Sequence, residues 1–230
     1  MSPTLRCALL GAALFSAQAA AVEFSFLSGN PVPEAFGNSY AQTQNGLTAT
    51  ATAWSTTGSG GRYQSAELEI YSGYGMGVCN RDEGVNCSNL GNKHALDNAG
   101  GATDLILFRF STPVQFSHLT LQEFGRDSDL SLWAGTGSLQ LDNLKPNNLG
   151  HATLAAITSQ AKDIKTVDLT GLAGTYDWLA VSARLAQVND FAKLQTLFVQ
   201  PVTSPVPEAN TSALLLAGLG LTGLMVRRRV

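Results

Sequence analysis

Hydrophobic and polar residues alternate with a period of two over much of the chain between Val22 and Val202. Over Gly46–Trp54, Leu47, Ala49, Ala51 and Ala53 face one way and threonines the other. Over Ala66–Tyr71, Ala66, Leu68 and Ile70 oppose Glu67 and Glu69, which reads as a strand with one face in water. Asp104–Phe110 is apolar on both faces except at Arg109, the pattern of a central strand. Val114–Phe124, Leu130–Ala134, Thr166–Leu169, Trp178–Leu185 and Lys193–Val199 continue the series, separated by clusters of Gly, Asn, Asp and Pro. Gly73–Gly101 reads as a long Gly- and Asn-rich loop, and Asn148–Ala161 as strand or loop. Short strands at this spacing predict an all-β domain, an antiparallel β-sandwich or jelly-roll-like fold.

The period breaks at both ends. Residues 1–21 have Arg6, an apolar core over Cys7–Ala17, and small residues at Ala17, Ala19 and Ala21. This is the composition of a helical secretory signal peptide. At the other end, residues 203–209 form a Pro-rich linker. Ala213–Val226 is an apolar run of 14 residues without a charge, and counting from Asn210 extends it to 17. A bilayer span needs about 17–25 residues. Arg227, Arg228 and Arg229 then stop the run, and the positive-inside rule holds them on the cytoplasmic side. The predicted organisation is a signal peptide (1–21), a β-sandwich ectodomain (22–202), a linker (203–209), and a transmembrane sorting helix with a basic tail (210–230).

Val206-Pro207-Glu208-Ala209, the apolar run and the three arginines together resemble the PEP-CTERM sorting signal, with Ala209 at the position of the motif's second proline. That resemblance implies handling by an exosortase-type processing enzyme after passage through the export machinery. It also implies transient anchoring in the inner membrane of a Gram-negative bacterium, then delivery to the cell surface or extracellular matrix. It concerns sorting and leaves the ectodomain's role open.

Charge sharpens this division. The chain is 13% charged with a net of −3, against about 25% charged in an average soluble domain. Residues 22–205 hold 10 Lys+Arg against 16 Asp+Glu, a net of −6. An acidic domain without a basic patch is unsuited to nucleic acid.

Candidate chemistry centres on the Gly73–Gly101 region. Cys79 and Cys87 remain after signal removal and are expected to form a disulfide in an exported protein. Asp82, Asp97, Asn98, Asp104, Asp127 and Asp129 admit two readings. They either cap turns through their own backbone or supply oxygen ligands to a structural calcium ion; no other cofactor is expected. Tyr71 and Tyr74, beside the loop, are candidates for stacking on carbohydrate, while Trp133 and Trp178 lie in apolar strands and read as core. His94, His118 and His151 sit in no HExxH motif. No GxSxG elbow, P-loop or dinucleotide fingerprint occurs.

Several blocks are also similar, in order, to a group of exosortase-dependent surface proteins: Cys79–Asp82, His94–Asn98, Thr103–Phe110, Asp127–Ser131, Trp178–Val181 and Asp190–Leu194. The resemblance implies a secreted surface domain and no particular reaction. The expectation is therefore a non-catalytic surface or matrix protein associated with exopolysaccharide, as in a biofilm. The alternative is a secreted carbohydrate-active hydrolase on a β-sandwich scaffold.

Overall fold

The structure is a computed structural model that describes residues 20–29, 31, 33–87, 95–123, 127–150, 152–156, 163–185, 187–202 and 215–219. Most of the predicted signal peptide, the linker 203–209, His94 and His151 lie outside the described residues. Of the predicted membrane helix only 215–219 is described; it is helical and exposed. Among the described residues no helix is long and apolar enough to cross a membrane.

Residues Ala20–Val202 make one compact unit. Its strands, in chain order, are β1 (Val22–Ser25), β2 (Ser39–Gln44), β3 (Leu47–Gly58), β4 (Arg62–Ser65), β5 (Glu67–Tyr71), β6 (Gly75–Cys79), β7 (Leu96–Asp97), β8 (Asp104–Glu123), β9 (Leu130–Gly135), β10 (Thr153–Ala155), β11 (Ile164–Asp168), β12 (Tyr176–Ala183) and β13 (Phe191–Pro201). All paired strands run antiparallel.

One strand organises the rest. The segment 104–110 and residues 114–123 of the segment 114–124, predicted as separate strands, belong to the single 20-residue β8. Its first half pairs with β3 and β12, and its second half with β13 and β11. The changeover falls at the exposed Ser111, Thr112 and Pro113. β8 thus belongs to two half-sheets. The first adds β2 and β4 beyond β3, and β9 and β10 beyond β12; the second adds β1, β7 and the β6–β5 hairpin beyond β13. Inward side chains from both halves meet in one core, including Ala51, Ile106, Phe108 and Val181 from the first and Phe24, Leu68, Leu121 and Leu197 from the second. Phe26 stacks on Phe108 with ring centroids 5.4 Å apart.

The first half-sheet is buried on its outer face too. There Leu105, Leu107, Trp133, Trp178 and Ala180 pack with Tyr63 and Leu141 as a second cluster. The segment after β9 crosses this face and is held by backbone bonds between Tyr63 and both Asn143 and Leu144, and by the Trp133 indole donating to Gly150. Arg109, the one basic residue in the apolar half of β8, donates to the Leu139 carbonyl of this segment. Burial on both faces accounts for the continuous apolar reading of 104–110.

Two sequence expectations change. The predicted Gly73–Gly101 loop contains β6, a strand buried at every position, and the short β7. The Glu67 and Glu69 face of β5 is only partly open to water: Glu67 is 0% exposed and Glu69 is half-buried.

Candidate functional site

The β5–β6 hairpin places Glu67, Glu69 and Tyr71 opposite Cys79, Gly77 and Gly75. Cys79 and Cys87 form a disulfide, with Cα atoms 5.2 Å apart. The loop it closes folds locally. The Asn80 side-chain oxygen accepts the N–H groups of Asp82 and Glu83, and the Glu83 carboxylate accepts the Asn80 N–H in return. The loop then lies over Glu67, whose Oε2 accepts the Asn86 N–H at 2.7 Å. The remaining carboxylate oxygen of Glu67 and one of Glu69 are buried without a hydrogen-bond partner. Carboxylate oxygens of the two residues lie within 4.8 Å of each other. Two such oxygens, neither with another donor, are reconciled by a proton between them. Burial, then the nearby charges of Glu67 and Glu34, push the Glu69 carboxyl up to about 7.

Lys193 reaches this face from β13. Its ammonium lies 3.6 Å from the Tyr71 ring centroid and 5.9 Å from that of Tyr74. Burial lowers it to about 8, opposed by the charge of Glu69. Gln195 donates to the Tyr74 carbonyl and to Gln122, extending the polar strip across the half-sheet. Tyr74 is 51% exposed, whereas Tyr71 is half-buried under Lys193. Cys79 also approaches Glu67 and Glu69, but its sulfur is bonded to Cys87 and is no thiolate ligand.

The acidic residues expected around a cation separate into three places. Asp82 is exposed in the turn after β6. Asp97 and Asp104 are buried together, the Asp97 N–H donating to Asp104 at 3.4 Å. Burial, and secondarily the Asp97 charge, hold the Asp104 carboxyl well above the usual carboxylate range. Asp127 and Asp129 form the third group, joined by Asp190, which the sequence pattern left aside; their ligand atoms lie within 4.8 Å of one another. Asp127 bridges to Asp190 in the only parallel pairing among the described residues, with the Phe191 N–H donating to the Asp127 carbonyl.

This third group is tightly bonded. Asn98 accepts the Asp190 N–H through its side-chain oxygen and donates through its amide to the Asp190 carboxylate and to the Arg184 carbonyl. The other Asp190 oxygen accepts the Asp129 N–H. Arg184 pairs with Asp129 at 2.5 Å. Burial pushes Asp190 up to about 6, with Asp127 and Asp129 adding to it. Among the described residues, Asp127, Asp129 and Asp190 form a group able to hold a divalent cation, and the guanidinium of Arg184 already supplies positive charge there.

His118 is described and lies on β8. Its Nδ1 is 2.9 Å from the Ser117 hydroxyl, and its ring stacks on Phe198 at 4.1 Å. Asp168 is its register partner on β11, with one carboxylate oxygen taken by the Thr170 N–H.

The sorting residues Val206, Pro207, Glu208, Ala209, Arg227, Arg228 and Arg229 lie outside the described residues. A comparison of the chain with family models settles that end independently. The PEP-CTERM protein-sorting motif matches residues 205–229. No curated protein matches the chain. The molecule therefore combines an all-β domain with a C-terminal sorting signal of surface proteins. The chain is a PEP-CTERM sorting-domain protein, and the motif implies processing by an exosortase.

Proposed function

We propose that the chain is a non-catalytic exported protein whose β-domain associates with exopolysaccharide at the cell surface or in the matrix. The observation that carries this reading is the sorting motif at residues 205–229. It is supported by an acidic domain of low charge density that exposes Tyr74 beside Lys193 and Glu69 on a polar sheet face. An exposed aromatic ring flanked by hydrogen-bonding groups suits the apolar face and hydroxyl rim of a sugar.

The hydrolase alternative draws on one observation, the close approach of Glu67 and Glu69. Retaining glycosidases hold their carboxyls about 5–5.5 Å apart across a substrate cleft. Glu67 here is sealed beneath the disulfide loop, which favours a structural pair over a catalytic one.

Affinity electrophoresis of the full chain through gels containing the producing cell's own exopolysaccharide tests the proposal. Retardation that weakens in Tyr74→Ala is expected. Migration equal to that in polymer-free gels would sink it.

A further inference from the structure

Each half-sheet ends in outer strands, and an outer strand presents a row of backbone groups open to pairing with another chain. Most outer strands here are protected. β1, β4, β5 and β11 carry Glu23, Arg62, Glu67 and Lys165. β7 and β10 are two and three residues long, and the Asn38 side chain covers part of β5. β2 has none of these devices: Ser39–Gln44 holds no charge, no proline and no register shift along its six residues. We infer that this edge pairs with the same edge of a second copy of the chain, joining two domains across a two-fold axis.

The β2–β3 hairpin fixes which groups are free. Its turn is Asn45-Gly46, with φ of +51° and +79°, the two positive values of a type I′ turn. Such a turn closes on a hydrogen-bonded pair, here Gln44 and Leu47, and bonded and non-bonded pairs then alternate along the ladder. Gln44, Gln42 and Tyr40 therefore bond to β3, and the N–H and C=O groups of Ser39, Ala41 and Thr43 point outward. β3 shows the same phase: Thr48, in the non-bonded pair with Thr43, turns its N–H away from β2 to the Ser111 hydroxyl at 3.0 Å. Among the described residues no strand and no loop backbone bonds to the outward groups of β2. Ser39, Ala41 and Thr43 are exposed, so the edge is open. The pairing of β3 with β8, and the Thr43 and Thr48 hydroxyls 2.8 Å apart, hold the hairpin in place beforehand, which lowers the ordering cost of binding.

The edge is complementary to itself. Antiparallel pairing centred on Ala41 sets Ser39 against Thr43 of the second copy, Ala41 against Ala41, and Thr43 against Ser39. This register uses every outward group of β2, and each of these pairs exchanges two hydrogen bonds. Ser and Thr are favourable neighbours across strands, whereas like charges directly opposed are not, and this edge opposes none. Charge also selects the place. Residues 35–61 hold no charged side chain, so the net −6 of the 22–205 segment lies wholly outside the hairpin. Two acidic domains repel each other through their charged surface and approach at least cost where charge is absent. The resulting contact is isologous, the form that closes a two-fold dimer, and strand addition at an open edge needs no pocket.

The test is cysteine cross-linking of the full chain in a non-ionic detergent. Cys7→Ser first removes the one cysteine outside the Cys79–Cys87 disulfide. Residues opposed in a bonded pair have Cα atoms about 5.5 Å apart, within disulfide reach. Ala41→Cys is therefore expected to give a covalent dimer under mild oxidation. Ser39→Cys and Thr43→Cys are each expected to stay monomeric alone and to join when mixed, because only the mixture sets the two thiols opposite. Sedimentation velocity reads the dimer without cross-linking. Ala41→Lys puts two ammonium groups face to face and is expected to weaken dimerisation at least about tenfold. Thr166→Lys, the same charge at an exposed position on β11, is expected to dimerise as the unaltered chain does. A monomeric unaltered chain, or cross-linking without preference among positions 39, 41 and 43, would overturn the inference. So would association that survives Ala41→Lys, which would place the contact on the apolar tail or another face. The cysteine pattern decides the matter by itself where Ala41→Lys fails to fold.

Discussion

Glu69 carries a proton in the folded protein at a pH where an ordinary glutamate has lost it, because burial and the Glu67 carboxylate disfavour its charge. Its ordinary value of 4.5 rises to about 7 on folding, so its contribution to stability is full below about pH 4.5 and is lost as pH rises toward 7. Asp190, shifted from 3.8 to about 6, acts in the same direction over a lower window. Lys193 falls from 10.5 to about 8, so stability linked to it is present above its ordinary value and is lost as pH falls toward 8. Urea midpoints measured from pH 4.5 to 7 are therefore expected to decline, and Glu69→Gln to decline less steeply. An identical slope in the variant would remove Glu69 as the source. A second expectation concerns Arg184, which neutralises the buried Asp129. Arg184→Met is expected to lose about 2–4 kcal/mol, because it removes a charged partner of the buried Asp129. Calcium should then raise the melting temperature of that variant while leaving the unaltered chain near its value in EGTA. A calcium shift in the unaltered chain would show that an ion, not Arg184, is the resident cation. The acidic character of these sites was legible from their spacing, but their grouping was not. Asp190 joins Asp127 through one long-range parallel bridge, and local spacing carries no trace of it.

At the scale of elements, the hairpin β5–β6 shows why glycine-rich sequence was misread as loop. Gly75 lies where a Cβ would meet the Leu194 carbonyl at 2.4 Å, so β6 can approach β13 only without a side chain there. Composition signals a turn, while the contact demands a strand. β8 was legible as strand on both sides of Pro113, yet the exposed Ser111–Pro113 hid its continuity. β5 has an edge that no strand among the described residues covers; the side chain of Asn38 pairs with it, accepting the Leu68 N–H at 2.7 Å and donating to the Leu68 carbonyl at 3.0 Å. Asn38→Ala leaves both buried groups unpaired and is expected to cost about 2–3 kcal/mol by chemical denaturation. A loss under half of that would mean water replaces the amide. The Cys79–Cys87 disulfide closes a separation of eight residues, for which chain entropy gives about 2–3 kcal/mol. Paired Ser substitutions should lower stability by that amount and expose the Glu67 side chain. The second effect is readable as a Glu69 titration moving back toward the ordinary glutamate range.

For the whole molecule, the separation of charge decides where each part of the chain can reside. The acidic −6 segment, 22–205, has no basic cluster to hold it at an anionic surface, whereas Arg227–Arg229 concentrate three positive charges at the far end. Those arginines lie within the matched motif, 205–229, so the basic end is part of the sorting signal. If an apolar run of this length is held by its flanking charge, replacing Arg227, Arg228 and Arg229 with Ser should release the tail from its anchored orientation before processing. The expected result is a full-length chain recovered with soluble periplasmic protein, in place of a surface form shortened by its tail. Mass spectrometry of the C-terminus reads the difference directly. A surface form that still ends at Val230 in the unaltered protein would mean that the motif anchors without cleavage. Normal shortening of the Ser variant would mean that the Pro207-Glu208 segment alone directs the enzyme and that the basic end is dispensable.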